Sequence, residues 1–177
     1  MDAATKAAWY GVEVFGKVFG SNKKEVTPQG YSGPPSSLKE TMERIKEDFD
    51  KSYFLNGNMD VEIYDPDCEF ADPFVSFRGR DRFVDNLQNL GSFITKYDAK
   101  LIKYEDADAS LETPTVETKV MVKLELNLPW NPVLAWPWSV TFEIDPDTFL
   151  VTRHVESWDI EPVEGVKQIF RKATVKI

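Results

Sequence analysis

Residues 61–94 read VEIYDPDCEFADPFVSFRGRDRFVDNLQNLGSFI, a strand, a sharp turn and a helix in immediate succession. Successive side chains of an extended chain alternate between faces, so Cys68, Phe70 and Asp72 share one side while Asp67, Glu69 and Ala71 share the other. An acid therefore lies on the same side as two residues that favour burial, which makes Asp72 a candidate pocket acid. Pro73 ends the strand because it has no amide to donate to a ladder. Beyond it, Gly79 opens a segment in which Phe83, Leu87, Leu90 and Ile94 recur at helical spacing, the pattern of a helix with one apolar face.

Upstream, Ser37 and Glu40 have capping-box spacing, and Leu38, Met42, Ile45, Phe49 and Tyr53 form an apolar stripe that Asn56-Gly57-Asn58 brings to an end. The stripe reads as core except at Tyr53, whose hydroxyl at the helix end faces a cavity as readily as solvent. Downstream, residues 100–104 predict a short strand. Residues 116–128 alternate, with Val116, Val120, Val122, Leu124, Leu126 and Leu128 set against Glu117, Lys119, Lys123, Glu125 and Asn127, a strand with one dry face and one wet one. Residues 139–144 and 150–160 add two strands joined across Asp145-Pro146-Asp147. Helices first and long neighbouring strands afterwards predict an α+β domain with an antiparallel sheet, not alternating βαβ units.

Two aromatic segments flank this frame. Residues 1–20, MDAATKAAWYGVEVFGKVFG, predict an amphipathic helix with Ala8, Val12, Phe15 and Phe19 on one side and Trp9 beside them. Gly11, Gly16 and Gly20 each cost it about 1 kcal/mol relative to Ala, so it needs docking, either on its own domain or on a partner or membrane surface. Residues 21–35 are a linker ending in Gly33-Pro34-Pro35. Residues 128–138, LPWNPVLAWPW, predict a stiff loop, because prolines are poorly tolerated inside a sheet. That loop either covers its own core or presents Trp130, Trp136 and Trp138 to something else. Trp9, Phe15, Phe19, Trp130, Trp136 and Trp138 are thus the candidate partner-binding residues. Near the end, His154, Glu156 and Trp158 share one strand face and Arg153, Val155, Ser157 and Asp159 the other; only one face can line a cavity.

A chain of 177 residues, 42% hydrophobic, can build one domain with a sizeable core, and two would be crowded. A net charge of −9 without clustered Lys and Arg argues against nucleic acid as a partner. The single cysteine, Cys68, excludes an internal disulfide and suits a reducing compartment. No apolar run approaches the roughly 20 residues that span a bilayer, and Asp2 and Glu13 fit a transit peptide poorly. The expected location is the cytosol, including the surface of the endoplasmic reticulum, or a plastid if a transit peptide has been removed. With one histidine, His154, and no nucleotide fingerprint, neither a metal site nor a cofactor is expected.

The run YDPDCEFADP, the following FRGRDRF with its amphipathic helix, and the final strand ending ESWDI resemble the nuclear transport factor 2-like superfamily, which includes SnoaL-like polyketide cyclases and ketosteroid isomerases. Within it they resemble a plant and cyanobacterial branch, as does the N-terminal AAWYGVEVFGKVF. The similarity covers residues 36–160 and leaves 161–177 as a C-terminal tail. It implies a cone: a strongly bent antiparallel sheet wrapped around helices, with an apolar pocket at one end. In the enzymes it resembles, carboxylates inside the cone act as general bases on carbon-bound protons. Asp72 and Asp159 match such positions, and His154 is a third catalytic candidate. The plainer alternatives are a turn anchor for Asp72, a rim residue for Asp159 and an ordinary strand residue for His154. Tyr53, Phe70, Phe74, Phe83, Leu87 and Trp158 are the expected pocket wall.

Two functions follow from the resemblance. One is a non-catalytic or weakly catalytic accessory protein that binds a hydrophobic small molecule or a partner enzyme, in plants facilitating terpenoid oxidation, including that of a taxane-type hydrocarbon, beside a membrane-associated oxygenase. The other is a cofactor-independent isomerase, cyclase or dehydratase. A homodimer is a further open arrangement. What separates the two functions is whether a second polar group faces Asp72 inside the pocket, since a lone acid makes a poor active site.

Overall fold

The computed structural model describes residues 31–173 and residue 177. The expected helix over residues 1–20, with Trp9, Phe15 and Phe19, lies outside the described residues. Helix α1, Leu38–Asp50, starts where the sequence predicts, with Ser37 Oγ accepting the Glu40 amide at 3.2 Å. The Glu40 carboxylate turns one residue further back, to the amide and hydroxyl of Ser36 at 2.9 and 2.6 Å. The stripe does not run on to Tyr53 as one helix. Ser52 takes a left-handed conformation at φ 53° and the chain restarts as the single turn α2, Tyr53–Asn56. That break drives Tyr53 inward, to 1% exposure.

Six strands follow: β1 Tyr64–Ala71, β2 Ser76–Arg78, β3 Ile94–Glu105, β4 Thr115–Leu126, β5 Val133–Ile144 and β6 Val151–Trp158. They form one curved sheet in the order β2-β1-β6-β5-β4-β3. Helix α3, Arg80–Gly91, carries the chain from the β1–β2 hairpin to the far edge, and the meander β3 to β6 returns it beside β1. That return makes β1 and β6 parallel, with Phe70 opposite His154, so the sheet is mixed where an antiparallel one was expected. Ile94, read as the last turn of α3, instead opens β3 opposite Leu126, and the strand expected over 100–104 is twelve residues long.

Alternation builds the core. Val116, Val120, Val122, Leu124 and Leu126 of β4 and Leu134, Trp136, Trp138, Val140, Phe142 and Ile144 of β5 all turn inward, against Ile45 and Phe49 of α1, Phe54 and Leu55 of α2, and Phe83 and Leu87 of α3. A buried ion pair, Arg44 Nε to Asp60 Oδ2 at 2.6 Å, ties α1 to the turn that leads into β1.

The proline-rich segment is corrected by the structure: residues 133–138 are the first half of β5, not a loop. In a strand, the N–H and C=O of one residue face the same neighbour. The Pro137 carbonyl accepts the Asp159 amide at 3.0 Å, and the last β6 residue paired with β5 is Trp158. The donor that proline lacks would therefore have pointed to where β6 is already leaving the sheet. Two residues earlier the same edge presents Ala135, whose N–H donates to Gln168 Oε1 at 2.8 Å and whose carbonyl accepts from Gln168 Nε2 at 3.5 Å. Gln168 belongs to α4, Pro162–Ile169, which stands where a tail was expected and takes over the β5 edge from β6.

Candidate functional site

A cavity of about 230 Å³ lies between the end of β1, β2, β6 and α3. Its apolar wall is Phe70, Val75, Phe77, Phe83, Leu87, Leu90, Phe93 and Trp138, and its polar groups are Asp72, Ser76, Arg82, Asn86, Asn89, His154 and Glu156. Phe70 and Phe83 stack at 3.9 Å between ring centres, joining strand to helix.

Asp72 is held by the turn it begins. Its Oδ1 accepts the amides of Phe74 and Val75 at 2.6 and 2.9 Å, and its own amide donates to the Val75 carbonyl at 2.9 Å. It is both a turn anchor and part of the cavity wall. Among the described residues no hydrogen bond reaches Oδ2, which leaves that oxygen to a ligand. Burial pushes the Asp72 carboxyl up to about 6; the two backbone N–H bonds oppose this and the nearby Glu156 adds to it.

Glu156 shares the cavity because it alternates with His154 on β6. Burial raises its carboxyl to about 8, so at neutral pH it holds a proton and can donate it in a hydrogen bond. Burial lowers His154 to about 3, which keeps the imidazole neutral. His154 Nε2 comes within 3.3 Å of Glu156 Oε1, yet neither ring nitrogen has a hydrogen-bond partner. Since both groups are neutral, this approach is not an ion pair. The imidazole is instead packed among rings, with Phe83 and Phe142 each centred 4.9 Å away and Phe70 at 5.3 Å.

The structure brings Asp72, His154, Phe70, Phe83 and Leu87 to one cavity. Tyr53 lies deeper, hydrogen-bonded to Tyr64 and centred 6.4 Å from the His154 ring. Phe74 and Trp158 form a neighbouring aromatic cluster with Trp136, at 5.3 and 4.7 Å. Asp159 points to the opposite face of the sheet and pairs with Lys119. Trp136 and Trp138 are buried in β5, so neither offers free surface. Trp130 is 38% exposed and its indole N–H donates to the Ile169 carbonyl at 2.7 Å, which makes it an anchor for α4. Sequence reasoning assigned no role to Glu156, although the alternation of 154, 156 and 158 contains the signal. It also passed over Arg82, Asn86 and Asn89, whose spacing places them on one face of α3.

Among the described residues no group of three or more His, Cys, Asp or Glu could hold a metal, and no helix is long and apolar enough to cross a membrane. Residues 39–154 match the family model described as "Uncharacterized conserved protein (DUF2358)". The chain belongs to that family. No curated protein matches the sequence. In three dimensions this DUF2358 chain is similar to an LEH-like epoxide hydrolase of M. tuberculosis, with 16% identity, 78% of this chain and 94% of that chain covered, and a TM-score of 0.55. It is likewise similar to a putative polyketide cyclase of Xanthomonas campestris, with 17% identity, 75% and 99% covered, and a TM-score of 0.52. A Burkholderia pseudomallei NTF2-like protein of unknown function matches at 9% identity, 80% and 100% covered, and a TM-score of 0.53. At such identities the likeness shows the fold alone: the DUF2358 chain has the nuclear transport factor 2-like cone.

Proposed function

We propose that this protein binds a small, largely apolar molecule inside the cone and acts as an accessory, non-catalytic or weakly catalytic module. The observation that carries the reading is the cavity wall: stacked phenylalanines, leucines and Trp138 surround a few polar groups that can orient one functional group. At about 230 Å³ the cavity falls just below the roughly 300 Å³ at which ligand sites usually begin. It suits one substituted ring or a short isoprenoid chain enclosed whole; a taxane-type skeleton would enter in part. The finer role, facilitating terpenoid oxidation by handing a hydrocarbon to a membrane-associated oxygenase, rests on the resemblance and on this apolar wall.

A second reading is favoured by one specific observation, the presence of Glu156 beside Asp72. A carboxylate with a raised proton affinity can take a carbon-bound proton, and a neutral carboxylic acid near it can stabilise the developing oxyanion. That is the acid-base arrangement of a cofactor-independent isomerase, cyclase or dehydratase.

The test uses monoterpenoid alcohols and ketones with the wild type, Asp72→Asn and Glu156→Gln. Binding is followed by titration calorimetry, and proton abstraction by the exchange of ketone α-protons with deuterated water. The accessory reading expects binding in all three proteins and no exchange above the buffer rate. Exchange that is lost in Asp72→Asn would replace it with the acid-base reading, and no binding of any probe would overturn both.

A further inference from the structure

The segment FRGRDRF carries three arginines, and the structure gives them different occupations. Arg78 donates to Glu69 at 3.2 Å on the outer surface. Arg80 donates to the carbonyls of Val61 and Tyr64, both at 3.2 Å, and lies 3.8 Å from Asp81. Arg82 has no carboxylate or carbonyl partner among the described residues. Its guanidinium sits over the Phe77 ring, 4.4 Å from the centre, at the wall of the cavity. A guanidinium lying on an aromatic face keeps its N–H groups in its own plane, where they suit the two oxygens of a carboxylate. Asn86 and Asn89 follow at one and two turns along the same helix and line the same cavity. No hydrogen bond engages either side chain among the described residues. The turn after β1 and strand β6 supply acids and α3 supplies a cation and two amides, so the cavity is polarised across its apolar centre.

We propose that Arg82, with Asn86 and Asn89, is the specificity element of this site, and that the natural ligand is an apolar molecule bearing one carboxylate. This deepens the binding role proposed above and rests on it. The carboxylate lies against Arg82 and the apolar body fills the space between Phe70, Phe83 and Leu87, which leaves the far end of the ligand toward Asp72 and Glu156. The whole-chain charge of −9 repels anions in general, so any preference for a carboxylate must be local.

The experiment compares 4-phenylbutyrate with 4-phenylbutan-1-ol, probes of nearly equal size that differ in charge. Their dissociation constants are measured by titration calorimetry at pH 7.5 for the wild type, Arg82→Gln and Arg78→Gln, after circular dichroism has shown each to be folded. A charge-assisted pair that improves on a hydroxyl contact should favour the acid by about tenfold. Arg82→Gln should erase that preference. Arg78→Gln, the same loss of charge outside the cavity, should retain it. Equal binding of acid and alcohol by the wild type, or equal effects of the two substitutions, overturns the proposal while the binding role stands. Failure of both probes to bind overturns both.

Discussion

Glu156→Gln should make the protein more stable at alkaline pH than at present, and the sign follows from the direction in which burial moves its proton affinity. The carboxyl rises from an ordinary 4.5 to about 8 in the fold. The stability this proton contributes is complete below 4.5 and is lost as pH rises toward 8, because only the unfolded chain ionises freely in that interval. Two other groups overlap part of it. Asp72, raised from 3.8 to about 6, works in the same direction at lower pH. His154, lowered from 6.5 to about 3, works the opposite way, with its stabilisation full above 6.5 and lost as pH falls toward 3. Cys68, its thiol raised by burial from 9.0, enters only at higher pH. Between pH 6.5 and 8 Glu156 therefore dominates. At about 1.4 kcal/mol per pH unit, the wild type should lose about 2 kcal/mol across that window. Glutamine has nearly the same shape and no proton to lose, so the variant should stay level. Urea unfolding followed by tryptophan fluorescence at pH 6.5, 7.2 and 8 measures both proteins. Parallel losses in the two would refute the reading of Glu156 as a buried, protonated acid.

Arg44→Met should cost about 3–5 kcal/mol, because it strands Asp60, 4% exposed, without the cation 2.6 Å away; the double variant Arg44→Met/Asp60→Asn should recover part of the loss in the same urea titration, and no recovery would show that the pair is not coupled. Gln168→Ala should cost no more than about 1 kcal/mol overall, since the lost bonds to Ala135 are solvent-exposed. It should nevertheless speed hydrogen exchange at the Ala135 amide by a factor of ten or more relative to interior β5 amides such as that of Val140; unchanged exchange would mean that α4 does not guard the β5 edge.

How much of the fold could be read beforehand depends on whether the deciding force was local. The α1 cap at Ser37, the turn at Pro73, the entry to α3 at Gly79 and the alternation of β4 all rest on neighbours in sequence, and each was legible. The strand at Pro137 was not, because the rule against proline inside a sheet concerns a donor facing a partner, and here the partner strand ends first. Nothing in Lys51-Ser52 announces the left-handed residue that splits α1 from α2; packing of Phe49, Tyr53 and Phe54 against one another selects it. The parallel pairing of β1 with β6 is set by where the meander returns, which no local pattern records. Helix α4 was legible and overlooked: Pro162 stands in its first turn, and Val163, Val166 and Ile169 recur at helical spacing.

Over the final strand, family position and strand period favour different acids. Family position pointed to the acid of the Trp-Asp pair, Asp159. Strand period pointed elsewhere, because His154 and Asp159 stand an odd number of positions apart and cannot face the same way along a regular strand. The structure follows the period: Asp159 meets Lys119 on the outer face, while Glu156, two residues beyond His154, enters the cavity. An acid placed outside is paired with a lysine and open to solvent. An acid placed inside, 12% exposed and without a cation, holds its proton at neutral pH. The second carboxyl of the cavity is therefore that of Glu156, a hydrogen-bond donor at neutral pH. It also leaves Asp72 as the cavity's one acid that ionises below neutral pH, so a ligand carboxylate finds its counter-charge on α3 at Arg82 and not among the strands.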